Sequence, residues 1–216
     1  MIGRRWTRTA AVLIVLTLAS SSLAHVVDEY LQATIVSIQP GGFRLRMNLT
    51  PGTEVAGKVI PAIDRNGDGT LQPDETTEYA QQVRRDLTVR LDGRELQVRL
   101  QESEFPQPDE MRTGWGTIKL DFFAAQPLST GTHRLTMENR HMPAIGVYLF
   151  NAGFPESKTI RVLGQKRNAN QSQGEIEFSY QPVKVRSSRW WSYAIAGSIV
   201  LLELARRTWP RWVGNS

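Results

Sequence analysis

Oxygen-bearing side chains recur at alternate positions of the twelve-residue segment Asp64–Glu75. This spacing lets several carboxylate and carbonyl oxygens converge from one short turn. A hard cation such as Ca²⁺ takes roughly six to eight oxygen ligands. The segment therefore predicts a calcium site whose direct ligands are the side chains of Asp64, Asn66, Asp68 and Glu75 and the backbone carbonyl of Thr70.

The remaining positions of the segment agree with this expectation. Gln72 is placed to act through a bound water, Gly69 allows a sharp bend, and Leu71 is expected to face inward. Glu75 ends the segment, where its longer side chain lets both carboxylate oxygens reach the ion. The alternative is a surface turn rich in Asp and Gly, because such turns commonly join regular elements.

Helices are expected on both sides of the segment. Residues Thr53–Ile63 repeat apolar residues along one face, and Pro61 is expected to weaken the last turn of this entering helix. The exiting helix begins at Pro73, which suits a first-turn position, and its apolar face continues to Leu87. The helix–loop–helix is therefore predicted to cover about residues 53–87.

The first 24 residues have the pattern of a secretory signal peptide. Arg4, Arg5 and Arg8 precede an apolar run, and Ser22 and Ala24 place small residues where a signal peptidase cleaves. The Arg4-Arg5 pair is also one feature of twin-arginine export. An uncleaved N-terminal anchor is the alternative, although the apolar run is short for a membrane span.

Residues 190–205 are predicted to form a C-terminal transmembrane anchor. The segment is apolar apart from Ser192, Ser198 and Glu203, and tryptophans occur at both ends. Tryptophan rings favour the two interfaces of a membrane. Residues 206–216 are then a short basic cytoplasmic tail. An interfacial helix or a buried core helix is the alternative.

The formal net charge of +5 does not indicate a nucleic-acid partner. Residues 1–24 and 184–216 carry the excess of basic side chains, which leaves residues 25–183 with a net charge of −3. The targeting and anchoring segments therefore account for the basicity. The chain has no cysteine, so an exported domain must be stabilised by its core without disulfides.

Residues 25–183 are predicted to form one exported, mainly β domain. Nine short runs alternate apolar with polar residues, which is typical of half-buried antiparallel strands. These runs are 30–38, 43–49, 87–91, 96–100, 117–123, 133–137, 147–150, 159–163 and 175–180. Asp92-Gly93 between two of them indicates a tight hairpin. The pattern predicts an antiparallel β-sandwich with the helix–loop–helix inserted between its second and third strands.

The segment with its flanking helices resembles the EF-hand family. More broadly, the Ala24-His25 junction, Glu29–Ala33 and Asn48–Gly52 resemble bacterial envelope proteins that carry one EF-hand. The same region is similar to periplasmic domains that precede the membrane helices of some nickel/cobalt and HupE/UreJ-type transporters. These resemblances imply a periplasmic calcium-binding protein, anchored in the cytoplasmic membrane, with a structural or interaction role and an envelope or transporter protein as partner.

The alternative function is that of an accessory periplasmic domain in a nickel, cobalt or copper transport system. Cleavage after Ala24 would make His25 the N-terminal residue, and its amine and imidazole nitrogens suit copper or nickel. Only His133 and His141 remain to supply a second imidazole. The competing interpretation is that all three histidines are surface or packing residues.

Nothing in the sequence indicates an enzyme. The chain lacks the Gly-x-Ser-x-Gly elbow, the His-Glu-x-x-His helix and a phosphate-binding glycine loop, and without cysteine it cannot use a catalytic thiol. One acidic cluster resembles a set of catalytic carboxylates, although a solvated acidic loop is the simpler interpretation. Its members are Glu102, Glu104, Asp109 and Glu110.

Overall fold

Residues 28–182 are described by the computed structural model, and they form a mainly β structure. Its ten strands are β1 (Tyr30–Gln39), β2 (Gly42–Pro51), β3 (Leu87–Leu91), β4 (Arg94–Glu95), β5 (Val98–Glu104), β6 (Ile118–Ala125), β7 (Gly131–Asn139), β8 (Gly146–Ala152), β9 (Ile160–Arg167) and β10 (Gln173–Tyr180). Three helices complete it: α1 (Thr53–Ile63), α2 (Pro73–Arg85) and α3 (Pro108–Arg112). The strands form two five-stranded sheets, ordered β5-β6-β2-β1-β8 and β4-β3-β7-β10-β9. The predicted mainly β class is confirmed.

Alternation in the sequence determines which side chains enter the core. On β2, Phe43, Leu45 and Met47 are buried, while the intervening Arg44 and Arg46 point to the other face of the sheet. Successive side chains of a strand point to opposite faces. The β1–β2 hairpin therefore directs one apolar row inward.

The predicted strand at 96–100 is divided differently in the structure. Asp92-Gly93 does form a tight turn, with φ values of 50° and 83°, but the returning strand β4 has only two residues. The N–H of Leu96 still bonds to the carbonyl of Val89 on β3. The chain then crosses to the other sheet, where β5 pairs with β6. There are thus ten strands in the described part of the chain, where nine were predicted.

The expectation of purely antiparallel pairing was wrong for one pair. β1 and β8 run parallel, with Tyr30 opposite Gly146 and Val36 opposite Ala152. β8 follows β7, which belongs to the other sheet, so no hairpin determines its direction. Alternation alone does not distinguish the direction of such a strand.

Side chains from both sheets belong to one hydrophobic core. The rings of Phe43 on β2 and Phe178 on β10 lie 6.0 Å apart, edge to face. Gly174 on β10 packs against the ring of Phe150 on β8 so closely that an added Cβ would overlap it. The missing side chain at Gly174 lets these two strands approach.

A side-chain amide covers part of the outer edge of β8. Gln165 on β9 donates from Nε2 to the carbonyl of Phe150 at 3.0 Å. Its Oε1 accepts the N–H of Ala152 at 2.7 Å. These two backbone groups at an edge strand are therefore paired.

The two long helices occur where the sequence predicts them, between β2 and β3. Helix α1 has the predicted bounds and extends two residues beyond Pro61, because its buried face packs into the core. Helix α2 starts at Pro73 as expected but ends at Arg85. Leu87, which the sequence placed both at the end of the helical repeat and at the start of a strand, is the first residue of β3, so the predicted strand at 87–91 is confirmed. The apolar repeat continued across a helix end because β3 is buried too.

The predicted signal peptide (1–24), the membrane anchor (190–205), the basic tail (206–216) and His25 lie outside the described residues. Among residues 28–182, no helix is both long and apolar enough to span a membrane.

Candidate metal centre

The loop between α1 and α2 is folded around the carboxylate of Asp64. Oδ1 of Asp64 accepts the N–H of Gly67 at 2.8 Å, and Oδ2 accepts the N–H of Gly69 at 2.9 Å. Both glycines have positive φ, 73° and 84°, which side chains with a Cβ rarely adopt. The glycine predicted to make the bend is therefore at the bend.

The next two polar side chains hold the middle of the loop. Asn66 Oδ1 accepts the N–H of Asp68 at 2.8 Å, and Asp68 Oδ1 accepts the N–H of Thr70 at 2.8 Å. The Thr70 hydroxyl also donates to Asp68. This hydroxyl bond, together with the backbone bond, lowers the pKa of the exposed Asp68 carboxyl. Asp68 is therefore an anion at neutral pH.

Glu75 connects the beginning of the loop to the beginning of α2. Its Oε1 accepts the N–H groups of Arg65 and Asn66 at 2.9 and 3.2 Å. Its Oε2 accepts the N–H of Gln72 at 3.1 Å, which completes a capping box at the helix start. One carboxylate thus spans the loop from its second residue to its ninth.

Among residues 28–182, no cationic side chain pairs with Asp64 or Glu75. The two residues are only 8% and 7% exposed. In the described part of the chain, no lysine, arginine or histidine forms an ion pair with a carboxylate of this loop. Buried carboxylates are costly unless they are paired or bind a metal ion. Backbone N–H groups are their partners in the fold.

The oxygen atoms of this loop are of the kinds that suit a hard divalent cation. The loop supplies carboxylate, amide and carbonyl oxygens from Asp64, Asn66, Asp68, Thr70 and Glu75, which is the donor chemistry that calcium prefers. Within residues 28–182, no three acidic or imidazole side chains lie together in a geometry that could hold a metal ion. The predicted set has only three acidic members, and Asp68 among them is exposed and bonded to Thr70.

Two further loop residues have defined positions. Leu71 is partly buried and packs against the core, as expected from the sequence. Gln72, expected to act through water, is the residue before the first turn of α2 and donates from Nε2 to the Thr70 hydroxyl at 3.3 Å.

A buried polar network that the sequence did not reveal attaches α2 to the sheets. The hydroxyl of Tyr79 lies 2.9 Å from Nε2 of His141 and 2.7 Å from the hydroxyl of Tyr30. Nδ1 of His141 lies 2.7 Å from Oδ2 of Asp86, the residue that caps the C-terminal end of α2. Tyr30 and His141 are 0% and 1% exposed. The network thus connects α2 with β1 and with the turn after β7.

The backbone around His141 is fixed by side chains from the neighbouring strands. Gln32 and Tyr148 both donate to the His141 carbonyl, at 2.8 and 3.0 Å. Asn139 accepts the His141 N–H and donates to Gln32. No buried side-chain polar atom of the described residues is left without a hydrogen bond. Such fully paired networks hold one geometry.

A cleft of about 450 Å³ lies beside this network. Its walls come from α1, the loop, α2 and the turn after β7, and the residues include Arg65, Glu78, Asp86 and His141. Arg65 is the second residue of the loop. The cleft is therefore adjacent both to the candidate metal centre and to the buried network.

A second histidine, His133, combines with Asp92 and Ser129 in a set that resembles a catalytic triad only in composition. Nδ1 of His133 bonds to Asp92 at 2.7 Å, and Nε2 bonds to the carbonyl of Ser129 at 2.7 Å. The bond to Asp92 is the main cause of the raised pKa of His133. Both nitrogens face oxygen atoms that can accept, so each is better placed to donate a proton than to accept one from the Ser129 hydroxyl.

The acidic cluster noted in the sequence is dispersed. Glu104 pairs with Lys119 at 3.1 Å, Asp109 pairs with Arg112 within α3, and Glu110 accepts the N–H of Gln107 in a capping box. Three of its four members thus have local structural partners.

His133 and His141 were the two candidates for a second imidazole beside His25. Each has both ring nitrogens in hydrogen bonds. In this conformation neither presents a free nitrogen lone pair to a transition metal. The His25 site remains a prediction from the sequence.

The chain was compared with models of protein families and with curated proteins, and neither comparison found a match. The interpretation of this centre therefore depends on its own residues and geometry.

Proposed function

We propose that the loop Asp64–Glu75 binds one calcium ion in the manner of an EF-hand. The ligands would be the side chains of Asp64, Asn66, Asp68 and Glu75 and the carbonyl of Thr70, with Gln72 acting through water. A bound ion supplies positive charge that neutralises the carboxylates, and the loop residues hold it in place.

The burial of Asp64 and Glu75 without a cationic side chain is the observation that carries this proposal. Their carboxylates belong to opposite ends of one loop, and Glu75 bonds to the N–H groups of Arg65 and Asn66 next to Asp64. A surface turn rich in Asp and Gly needs no buried acid at both ends. A cation bound between them would offset the cost of burying two negative charges.

The role we propose for the ion is structural. It would join the end of α1 to the start of α2 and so fix the angle between the two helices, which are inserted into a β-sandwich formed by the two sheets. Ligands that bind only the folded state stabilise it by mass action. Because this chain has a single such loop, we expect weak binding, in the roughly submillimolar to millimolar range of extracellular modules.

The location that we propose follows from the terminal segments of the sequence. A signal peptide in residues 1–24 would export residues 25–183, and an anchor in residues 190–205 would hold them at the outer face of the cytoplasmic membrane. The partner would be another protein of the envelope. Millimolar extracytoplasmic calcium would then suit a weak site.

Calorimetric titration of the full-length protein in detergent tests the proposal, with Ca²⁺, Mg²⁺, Cu²⁺ and Ni²⁺ as ligands. We expect one calcium per chain, and we expect Asp64→Asn and Glu75→Gln each to abolish it. Asp74→Asn is the matched control, because Asp74 is an exposed acid in the same loop and is not among the ligands. Calcium binding that survives both ligand substitutions would overturn the site.

If the protein binds copper or nickel tightly and does not bind calcium, this result would instead favour the alternative function in transition-metal transport. Loss of that binding in His25→Gln would then identify its site.

A further inference from the structure

Helix α2 carries both a proposed calcium ligand and the buried network around His141. Glu75 is in its first turn, and Tyr79 is four residues later on the same buried face. Asp86 caps the C-terminal end of the helix and bonds to His141, while its carbonyl accepts the N–H of Arg140. The helix is thus held at its first turn by the loop and further along by the network.

When His141 is neutral, each hydrogen bond of the network has one defined donor and one defined acceptor. Because a carboxylate only accepts, Nδ1 of His141 carries the proton that is donated to Asp86. Nε2 is then an acceptor for the Tyr79 hydroxyl. The Tyr79 oxygen in turn accepts from the Tyr30 hydroxyl. Every proton in this chain of bonds has an acceptor.

Protonation of His141 reverses these donor and acceptor roles. Nε2 would become a donor to the Tyr79 oxygen, and the Tyr79 hydroxyl would turn toward Tyr30. The Tyr30 hydroxyl proton would then have no acceptor, since Tyr79 is its one side-chain partner among the described residues. Tyr30 is fully buried, so no water compensates for the lost bond. Burying an unsatisfied hydroxyl is unfavourable.

We propose that Tyr79, His141 and Asp86 are positioning residues for the calcium site, which fix α2 so that Glu75 meets the loop, and that protonation of His141 weakens calcium binding. This inference rests on the calcium binding proposed above. It concerns residues that do not touch the ion and act through the helix that carries Glu75.

Several titratable groups face His141, and they determine when it titrates. Burial lowers the pKa of His141, against the bond to Asp86, which acts to raise it. Burial also raises the pKa values of Tyr30, Tyr79 and Tyr148, so all three phenols stay neutral. The groups around His141 are Tyr30 from β1, Tyr79 and Asp86 from α2 and Tyr148 from β8, with Arg65 and Glu78 in the adjoining cleft. His141 is the group among them with an ordinary pKa near neutrality.

Coupling between two binding equilibria is reciprocal. If protonation of His141 weakens calcium binding, calcium must lower the pKa of His141 to the same extent. A residue that only supports the fold would not show this shift within the stable range of pH.

The first experiment measures the calcium affinity of the full-length protein in detergent between pH 5.5 and 8, above the ordinary range of the carboxyl ligands. We expect the affinity of the wild type to fall about fivefold or more toward pH 5.5, in the usual range of such couplings. His141→Gln and Tyr79→Phe should bind with little dependence on pH. His133→Gln is the matched control, since His133 lies near the start of β7, far from the turn that carries His141, and it should retain the wild-type profile.

The second experiment follows the titration of His141 in the wild type and in Tyr79→Phe. The chain has three histidines, whose ring carbons can be followed by NMR after selective labelling. Adding calcium should lower the pKa of His141 and leave that of His133 unchanged. A shift that persists in Tyr79→Phe would be a direct effect of the ion's charge and would overturn the proposed positioning role.

The two proposals fail in distinguishable ways. Asp64→Asn and Glu75→Gln could abolish calcium binding while the wild type and His141→Gln show the same dependence of calcium affinity on pH. This result would overturn only the positioning role. If the wild type binds no calcium, both proposals are overturned. If His141→Gln does not fold, the NMR titrations of the wild type and of Tyr79→Phe decide the matter.

Discussion

The hydroxyl of Tyr79 lies 2.9 Å from Nε2 of His141, a residue 62 positions further along the chain. This contact joins α2 to the turn that follows β7. Tyr79 lies one helical turn after Glu75, a proposed calcium ligand, on the same buried face of α2. If the loop binds calcium as we propose, stability, pH and metal binding are connected through α2.

We expect Tyr79→Phe to lower the free energy of unfolding by about 2–3 kcal/mol, because it removes two hydrogen bonds and leaves buried polar groups of Tyr30 and His141 without that partner. The ring is retained, so packing changes little. Urea unfolding measures the loss. Tyr180→Phe is the matched control, since no hydrogen bond is recorded for its hydroxyl within residues 28–182, and it should change stability by less than about 0.5 kcal/mol. Equal losses in both variants would contradict the prediction.

We expect His141 to make the fold less stable on the acid side. Because its pKa in the folded state lies below the ordinary value of 6.5, the unfolded chain binds a proton more readily than the folded chain. The stability from neutral His141 is fully present above pH 6.5 and is lost as the pH falls through the folded-state pKa. Urea midpoints between pH 5 and 8 should therefore drop toward pH 5. In His141→Gln this part of the drop should disappear.

The contribution of His133 to stability depends on pH in the opposite direction. The hydrogen bond to Asp92 raises its pKa above 6.5, so its contribution is fully present below pH 6.5 and is lost as the pH rises through the folded-state pKa. We expect His133→Gln to flatten the alkaline side of the same profile and to leave the acid side unchanged. If either substitution affected both sides, the two histidines could not be assigned to separate titrations.

We expect Gly69→Ala to destabilise the loop by about 1–2 kcal/mol, the cost of a left-handed conformation for a residue with a Cβ. The φ of Gly69 is 84°, and no atom lies close enough to clash with an added Cβ, so conformation alone should account for the loss. Gly57→Ala is the matched control, because Gly57 lies in α1 with equally open surroundings. There the same change should stabilise the fold by about 0.5–1 kcal/mol. Thermal unfolding in EDTA compares the two without the contribution of calcium.

We expect Gly174→Ala to cost about 1–3 kcal/mol, because the new methyl group overpacks the interface between the sheets. The predicted clash is with the ring of Phe150. The double variant Gly174→Ala with Phe150→Leu should therefore lose less than the sum of the two single changes. Strict additivity of the two losses would show that these residues do not share one packing site.

Local patterns in the sequence predicted the turn between the two long helices, the bounds of α1 and most strands, because these features depend on neighbouring residues. The Asp64 and Gly69 positions determine a turn through bonds five residues apart. By contrast, Tyr30, Tyr79 and His141 meet across separations of 49 and 62 residues. No periodicity in the sequence indicates contacts between residues so far apart. From the sequence, His141 could therefore be named only as a candidate for a second imidazole beside His25.

The errors in the strands have a similar origin. Leu96 and Val98 belong to one alternating run, yet the chain changes sheets between them. The end of α2 was misplaced for the same reason, because its apolar repeat continues to Leu87, the first residue of the correctly predicted strand β3. Alternation shows which residues are buried, whereas the partner of each strand depends on distant parts of the chain.

The amide of Gln165 takes the place of a neighbouring strand along part of β8. Unpaired edges of sheets act as templates on which other chains add strands, which leads to aggregation. With the carbonyl of Phe150 and the N–H of Ala152 already bonded to one side chain, this stretch of the edge offers no such template. The side chain of Gln165 thereby protects this part of β8 against strand addition by another chain.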